Sequence, residues 1–332
     1  MENFDSFFLN ERYKKGIEKR DKLKEISEKV DWEKFRTIIE PLYYDNAQTG
    51  GRPHIDVIVM VKIIILQTLY NVSDPELEFA LNDRISFQQF IGLDNPVPDY
   101  STIWRFKERL TKAGIAKQIH EQFLQQVHEN GYVVKTGMIQ DATFIEADIG
   151  KKRQTEEQKK KKQNKEIRYS RRQKSHINTD ATFSKKGAET HHGYKLHTKV
   201  DVDNVFIQDF ETTTAKVSDN KVDLSSDDDK RMFRDKGYVG TPLKAENVQD
   251  FTMKRAARNR PLTEEEKKFN KIVSRIRVKV EWPYASIKRK FNRGRTRATK
   301  LIRVAICQMF SCLTYNIMNF ISHERKRLAD AS

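Results

Sequence analysis

Apolar residues recur every three or four positions through most of residues 8–130, with turn-forming residues between the runs. This spacing places them on one face of successive helices. Ser73 marks the start of one helix, because its hydroxyl can cap exposed backbone amides while Pro75 fits the first turn and Glu76 completes a capping box. The pattern therefore predicts a helical N-terminal region.

The longest apolar run, residues 57–66, is rich in β-branched residues and would also suit a buried strand. Its length and its helical neighbours favour a helix. Lys62 interrupts it, and it is much shorter than the ~20 residues that cross a bilayer. The run therefore indicates a buried element and no membrane partner.

Residues 101–110 form an amphipathic segment whose apolar positions, Ile103 to Leu110, share one helical face. A helix of this kind can lie in a DNA groove, and it can equally be a surface helix with solvated charges. The cations on its remaining surface are Arg105, Lys107 and Arg109.

Strand-like alternation replaces the helical pattern after Gly131, so we expect a domain boundary near residue 130. Five segments predict a mixed five-stranded sheet: residues 133–146, 194–202, 205–213, 232–233 and 250–254. A final apolar helix is expected over residues 301–320.

The charge of the chain indicates a binding partner. The chain has 63 Lys and Arg against 47 Asp and Glu, a net charge of +16, which favours a polyanion such as DNA. The loop-like insertion 151–189 holds 14 Lys or Arg and 5 acidic residues, and thus more than half of the net charge. It is either an arm that DNA orders or a solvated loop.

Composition narrows the cellular setting and the chemistry. Cys307 and Cys312 are the only cysteines, too few for a disulfide framework or a four-cysteine zinc site, which fits a reducing cytoplasm. Glu2 and Asp5 follow Met1 where a secretory signal would be basic. No glycine-rich phosphate loop is present, so no nucleotide cofactor is expected.

Two acids occur where strands are predicted. Asp141 lies among apolar and β-branched residues, where a bound divalent metal would compensate its charge. Asp235 follows a short strand and precedes a tight turn in which Gly237 permits a positive φ. Each alone is more often an ordinary strand-end or turn residue, and Asp227–Asp229 are interpreted as solvated turn residues.

A third acid lies in residues 269–291, where an apolar stripe predicts a long helix. Arg277, Glu281 and Lys288 align on an adjoining face, which alone would be an exposed ion pair. Pro283 predicts a kink near Glu281, or else the start of a new helix. Three dispersed carboxylates in a basic protein suggest a two-metal site for phosphodiester chemistry.

Nearly the whole chain resembles the DDE transposases of the bacterial insertion sequence 5 family. That family's signature of Tyr, Arg, Glu and Lys fits Arg277, Glu281 and Lys288, with Ser274 in place of the tyrosine. The other matching residues are Gly51, Arg52, Pro53, residues 57–70, Ser73, Leu77, Phe87, Phe90, Gly92, Leu93, Pro98, Asp99, Ser101, Thr102, Gln140, Asp141, Ala142, Thr143, Lys186, Gly187, Gly193, Tyr194, Lys195, His197, Asp235, Lys236, Gly237 and Tyr238.

The resemblance implies an α+β protein, with a helical DNA-binding domain over residues 1–130 and a ribonuclease H-like mixed-sheet domain over residues 131–325 that carries the basic insertion. It implies terminal inverted repeats and target DNA as partners, and a homodimer or higher assembly. The residues implied to hold two Mg²⁺ or Mn²⁺ ions are Asp141, Asp235 and Glu281. Those implied to contact phosphates are Arg277 and Lys288, with Lys195 and His197 as weaker candidates.

Four other side chains have two interpretations each. His191 and His192 could bind a metal, but beside a basic loop they more plausibly face solvent or DNA phosphate. Trp104 and Trp282 could stack on bases, although packing is the commoner use of tryptophan. Trp282 is kept as a possible group that stacks on a DNA end.

Three functions compete on this sequence. The leading one is a transposase that binds the ends of an insertion sequence and cuts and joins strands. An inactive copy that only binds DNA would bind without nicking. A structure-selective nuclease would cut without joining, and the N-terminal resemblance makes it the weakest alternative.

Overall fold

The structure is a computed structural model that describes residues 4–16, 18, 21–43, 53–149 and 178–331. The chain divides into two compact units, Met1–Val133 with Met309–Ser332, and Val134–Gln308. Gly51, Arg52 and the basic insertion up to residue 177 lie outside the described residues. A helical region precedes a mixed sheet, which confirms the predicted α+β class.

The first unit contains helices and no strand in its described residues. Its shorter connections are single 3₁₀ turns at Glu33–Phe35 and Glu40–Leu42. The helices are α1 (Phe4–Gly16), α2 (Lys22–Lys29), α3 (Arg36–Ile39), α4 (Val57–Tyr70), α5 (Asp74–Asp83), α6 (Ile85–Ile91), α7 (Tyr100–Ala113) and α8 (Ala116–Glu129).

Helix α4 forms the centre of the helical unit. All of its residues except Lys62 and Tyr70 are buried, and each large aliphatic side chain removed from water contributes about 1.5–3 kcal/mol. Asp56 caps its start by accepting bonds from Ile58 N and Val59 N. The helical interpretation of residues 57–66 is confirmed, because this apolar segment is enclosed by other helices instead of pairing in the sheet.

Helices α5 and α7 begin at side-chain caps. Ser73 Oγ accepts a bond from Glu76 N at 3.4 Å, as the capping pattern predicts. Asp99 caps α7 by accepting from Thr102 N at 2.6 Å. The apolar face of α7, which includes Ile103, is buried, so its opposite face is left for solvent or a ligand.

The second unit is built around a seven-stranded mixed sheet in the order β2-β3-β1-β5-β6, with β4 also paired to β3 and β7 to β1. All five predicted strands are present, but the predicted number was too small. The strands are β1 (Met138–Ala147), β2 (Thr182–Lys186), β3 (Glu189–Asp201), β4 (Ile207–Thr214), β5 (Arg231–Arg234), β6 (Gln249–Thr252) and β7 (Arg295–Thr296).

The two additional strands have weak sequence signals. β2 lies inside the segment 151–189 that was predicted to be loop-like, so that prediction is wrong for residues 182–186. Its side chains are mostly polar, and it is held by pairing with β3 across a two-residue turn that begins at Gly187. β7 has only two residues, too short for any periodicity.

Strand β3 approaches β1 unusually closely at Gly193. This glycine has φ +152°, and a Cβ there would collide with the backbone carbonyl of Ile145 and lie 2.8 Å from Ala147 N. No other residue fits without moving one of the strands. The glycine therefore lets the central β1–β3 ladder continue along its full length.

The long helix predicted over residues 269–291 is present but changes geometry along its length. α9 (Glu264–Arg277) is followed by a 3₁₀ turn at Val278–Val280, α10 (Glu281–Ala285) and a π-helical turn at Ser286–Lys290. Pro283 cannot donate to the carbonyl four residues earlier, so an irregularity is required there. The alternative of a helix that starts at Pro283 is wrong.

The last helix, α11 (Leu301–Ala331), extends 11 residues beyond the predicted end and is 31 residues long. By length and composition it could cross a membrane, and α4 with α5 passes the same test only as a pair bent by 105°. However, 67% of the most apolar window of α11 is buried. Such burial is typical of a core helix.

Candidate active site

Two acids follow the paired ends of neighbouring parallel strands. β1 and β5 pair in parallel, and Gln140 opposite Arg234 is their last matched pair. Asp141 is the next residue after Gln140 on β1, and Asp235 is the next residue after Arg234, directly beyond β5. Asp235 keeps an extended backbone. Equivalent positions of a parallel ladder face the same side of the sheet, so the register brings the two carboxylates near each other.

The end of β5 is fixed by Arg234, the residue before Asp235. Its side chain is 1% exposed, and it donates to Thr252 Oγ1 at 2.9 Å and to Asp250 at 2.7 Å. These contacts tie β5 to β6 and hold Asp235 in place. Arg234 was not predicted from the sequence, because its only signal is a cation next to two apolar strand residues.

Asp235 also begins the turn that follows β5. Its carboxylate accepts a bond from Lys236 N at 2.6 Å, and Lys236–Tyr238 form a 3₁₀ turn. Gly237 is absent from the residues with positive φ. The expectation that this glycine serves a left-handed turn is therefore wrong, because a 3₁₀ turn needs only ordinary φ values.

Arg277, at the end of α9, bridges the two acids. Its Nη2 lies 3.4 Å from Asp141 Oδ1 and its Nη1 lies 3.6 Å from Asp235 Oδ1. The arginine side chain is 14% exposed, whereas those of Asp141 and Asp235 are 28% and 42% exposed. One guanidinium thus compensates two partly exposed carboxylates that belong to neighbouring central strands of the sheet.

The electrostatics of Asp141 reflect this position. Burial raises the pKa of its carboxyl, Arg277 opposes the rise, and the neighbouring Asp235 charge adds to it. A carboxyl with a raised pKa is poorly compensated in its charged form. A carboxylate in this state gains stability when a cation binds next to it.

Glu281 begins α10, four residues after Arg277 in the same helical run. Its side chain is exposed. Within the described ranges, no three His, Cys, Asp or Glu side chains lie close enough together to hold a metal ion. The structure therefore brings Asp141, Asp235 and Arg277 together, but it does not place Glu281 with the other two acids.

Lys288 lies in the π-helical turn and is half-buried. Burial lowers the pKa of its ammonium, while Glu146 opposes that shift. A Cβ on Gly294 would lie 3.0 Å from Lys288 Cγ, so glycine there leaves room for the lysine stem.

Lys195 and His197 lie on the sheet face opposite Asp141. Asp141 pairs with Thr198, and side chains alternate along a strand. Lys195 Nζ donates to Val217 O at 2.8 Å and to Asp219 at 2.7 Å. The structure therefore separates Lys195 from the two acids and uses its ammonium inside the protein.

An internal ion pair fastens the loop that covers this face. Lys199 and Asp229 are 3.0 Å apart, with side chains 7% and 2% exposed. The interpretation of Asp227–Asp229 as solvated residues is wrong for Asp229, because β3 supplies a buried cation that the local sequence does not reveal. Asp227 and Asp228 are exposed as expected.

The neighbouring histidines also differ from expectation. His192 is buried, which contradicts the prediction that both face solvent or DNA. His191 stacks on Phe144 with ring centroids 4.0 Å apart, and its Nδ1 lies 2.6 Å from Glu146 Oε1. β2 on one side and β1 on the other enclose these rings.

His197 provides a pH-dependent stability prediction. It is fully buried, its Nε2 lies 2.9 Å from Thr213 Oγ1, and burial lowers its pKa from 6.5 to about 4. The unfolded chain therefore binds the proton first, so stability falls as pH drops from 6.5 to 4, by up to ~3 kcal/mol.

His197→Gln should remove the part of the pH dependence of the unfolding free energy that comes from His197. Urea unfolding of both proteins between pH 7 and 4 measures it, and the difference between parent and variant should change over that interval. Parallel curves across the interval would contradict the assignment.

A basic groove lies along α7 and has a volume of about 490 Å³. Trp104 is 48% exposed in its wall, and Arg109 covers the ring of Tyr43 at 3.8 Å. Lys107 does not line it, because it pairs with Asp74 at 2.6 Å. The lining residues are Leu42, Trp104, Arg105, Glu108, Arg109, Lys112 and Ala113.

Lys112 was missed in the sequence analysis, although its spacing of three from Arg109 and seven from Arg105 places all three on one helical face. The other exposed tryptophan, Trp282, is 58% exposed and directly follows Glu281. Both tryptophans are thus accessible to a ligand.

Comparison with known proteins separates the chain into two matches. Residues 11–109 match a family model described as Transposase domain (DUF772), and residues 134–317 match one described as Transposase DDE domain. The second match covers more than half of the chain and includes all three candidate acids. No solved structure matches the chain.

Proposed function

The chain belongs to the DDE transposases, and from this premise we propose that it binds the terminal inverted repeats of an insertion sequence and catalyses metal-dependent cleavage and transfer of DNA strands. The family match supplies the reaction class. We also propose that the element is of the bacterial insertion sequence 5 type, on the Arg277, Glu281 and Lys288 spacing. The protein would act in the cytoplasm, where the DNA is.

The observation that supports this proposal most directly is that Asp141 and Asp235 share one cation, the guanidinium of Arg277. The two carboxylates come directly after the last matched pair of the parallel β1–β5 ladder, and Arg277 lies between them. Their oxygens are the hard ligands that Mg²⁺ and Mn²⁺ prefer. The raised pKa of Asp141 supports the same use, because an uncompensated charge favours cation binding. DDE transposases use divalent metal ions, and carboxylate oxygens are ligands that such ions prefer.

Asp141, Asp235 and Glu281 would hold two such ions. Glu281 is exposed and lies one helical turn after Arg277, so its side chain has space to move. When bound, the ions supply charge stabilisation to both the attacking and the leaving oxygen of a phosphodiester. The protein contributes the paired strands β1 and β5, which fix the two aspartates.

Arg277 and Lys288 would hold the phosphates next to the cut. Both are partly enclosed cations in the same helical run, where charge-assisted bonds to phosphate are stronger than in water. Their role is to position the scissile strand.

DNA recognition would use the α7 groove. Its three cations, Arg105, Arg109 and Lys112, can neutralise phosphates, and Trp104 offers an aromatic face beside them. Because transposition joins two ends, we propose that a dimer or higher assembly forms on the DNA.

The test of the function is incubation of the full chain with Mg²⁺ and a duplex that carries the element's terminal repeat. Cleavage at the repeat end followed by joining to a second duplex is expected. Binding without nicking would instead identify an inactive copy, and nicking without joining would identify a nuclease. A duplex of the same composition with a scrambled repeat is the control.

Arg105→Gln should weaken DNA binding without unfolding the protein. Arg105 is exposed and lines the α7 groove, so one phosphate contact should be lost. The slope of log affinity against log salt should then fall by about 1, measured by fluorescence anisotropy with the terminal repeat.

The matched control is Arg12→Gln, which removes one exposed positive charge from α1 in the same unit. This variant should show the same slope of log affinity against log salt as the parent. Equal slopes for Arg105→Gln and the parent would exclude this groove as the phosphate contact.

A further inference from the structure

The guanidinium of Arg277 is incompletely satisfied where it lies. Its ion pairs of 3.4 and 3.6 Å are longer than the 2.7–2.9 Å of good charge-assisted hydrogen bonds. Its Nη1 has the thioether of Met253 at 3.7 Å, a weak acceptor. Its Nε is buried and has no hydrogen-bond partner in the described part of the chain. The arginine is therefore held mainly by charge.

Asp141 and Asp235, the two carboxylates that Arg277 contacts, are also proposed ligands of a divalent cation. A divalent ion held by these carboxylates would share them with the guanidinium, whose Nη atoms lie 3.4 and 3.6 Å from their oxygens. Two cations on the same carboxylates repel each other in a partly buried site. The guanidinium and the ion would therefore compete for the same two carboxylates.

We propose that Arg277 is a placeholder cation: it occupies the metal-binding carboxylates of the free protein, competes with the divalent ion, and is released toward DNA phosphate when the ion binds. This inference rests on the proposed function. It makes Arg277 a positioning residue with two successive partners, and it couples metal loading to DNA binding.

The unsatisfied Nε explains why release is favourable. A phosphate offers two oxygens to the planar guanidinium, so Nε and one Nη can donate together. In the present position the Nε–H donates to no described residue. Moving to phosphate therefore replaces two long contacts with shorter ones and satisfies a buried donor.

Metal binding to the DNA-free, full-length protein tests the proposal directly. We would titrate Mn²⁺ and follow the free ion by electron paramagnetic resonance, for the parent, Arg277→Gln and Arg277→Lys. Arg277→Gln should bind Mn²⁺ about tenfold more tightly or better, because the competitor is gone. Arg277→Lys keeps a competing charge and should stay within about threefold of the parent.

The matched control is Arg275→Gln, on the same helix, where Arg275 is exposed. It removes the same net charge without touching the site, so Mn²⁺ affinity should change less than twofold. Equal gains in the Arg275 and Arg277 variants would reduce the effect to net charge and overturn the proposal. Unchanged or weaker Mn²⁺ binding by Arg277→Gln would also overturn it.

Thermal unfolding provides a second readout that does not depend on activity. Without metal, Arg277→Gln leaves two neighbouring carboxylates uncompensated, so its Tm should fall below that of the parent. Saturating Mn²⁺ should then raise its Tm by more than it raises the parent's. A larger Mn²⁺ shift in the parent would contradict the competition.

Failure of the inference can be distinguished from failure of the proposed function. If Asp141→Asn and Asp235→Asn bind Mn²⁺ like the parent, the acids are not the metal site and the proposed function fails. If both lose Mn²⁺ binding while Arg277→Gln gains none, the metal site stands and only the placeholder role of Arg277 is wrong.

Discussion

Asp141→Asn and Asp235→Asn are each expected to reduce Mg²⁺-dependent nicking of a terminal-repeat duplex by about a hundredfold to a thousandfold. Asparagine keeps the shape of the side chain but removes the negative charge that binds a metal ion, and losing one preorganised charge contact at a reaction centre costs about 10²–10³ in rate. An electrophoretic assay of nicked product over time measures the loss.

The effect should be separable from folding. The raised pKa of Asp141 indicates that burial disfavours its charged form, so a neutral asparagine should fold at least as well at pH 7. Asp228→Asn, in an exposed loop acid, is the control for a general loss of one negative charge and should retain the parent rate. Parent-like nicking by either site variant would exclude that residue from the active site.

Glu281→Gln is expected to reduce nicking as well, because Glu281 is the third proposed metal ligand. Asp141 and Asp235 share a cation, whereas Glu281 is exposed and is not gathered with them. If Glu281→Gln alone nicked like the parent, the two aspartates would remain the site and another group would have to supply the third ligand. The same assay decides this.

Local sequence was sufficient for the parts of the fold that have strong periodicity. Helix α4 and strands β1, β3 and β4 have apolar patterns long enough to identify, and Ser73 caps α5 as its side chain predicts. β7 depends on pairing with β1, which lies far away in the sequence, and β2 is a short, mostly polar strand that is held by β3 across a two-residue turn. Pairing of that kind leaves no periodic signal in a short polar segment.

The acids of the candidate site were recognisable, but their electrostatic partners were not. Asp141 and Asp235 were predicted separately, and the register of β1 with β5 is what places them together. Arg277 was predicted as a phosphate contact aligned with Glu281, and its contacts with the two aspartates were not predicted. Which charges meet depends on packing between elements, which no spacing within one element encodes.

The ion pair of Lys199 with Asp229 also joins two distant elements and could not be predicted from local sequence. Breaking it should have the largest effect on stability. Lys199→Met should lower the free energy of unfolding by about 3–5 kcal/mol, because it leaves Asp229, only 2% exposed, as an uncompensated buried charge. Urea unfolding at pH 7 measures the loss. Ser226, whose Oγ accepts from Lys199 at 2.9 Å, would lose its partner as well.

Two further variants identify the cause. Lys199→Met combined with Asp229→Leu removes both charges and should recover most of the loss, since a buried ion pair can be replaced by apolar groups at little cost. Lys195→Met breaks the analogous pair with Asp219, which is 43% exposed, so water can solvate the remaining carboxylate and the loss should be about 1 kcal/mol or less. Equal losses for the two lysines would show that the burial of Asp229 does not determine the size of the effect.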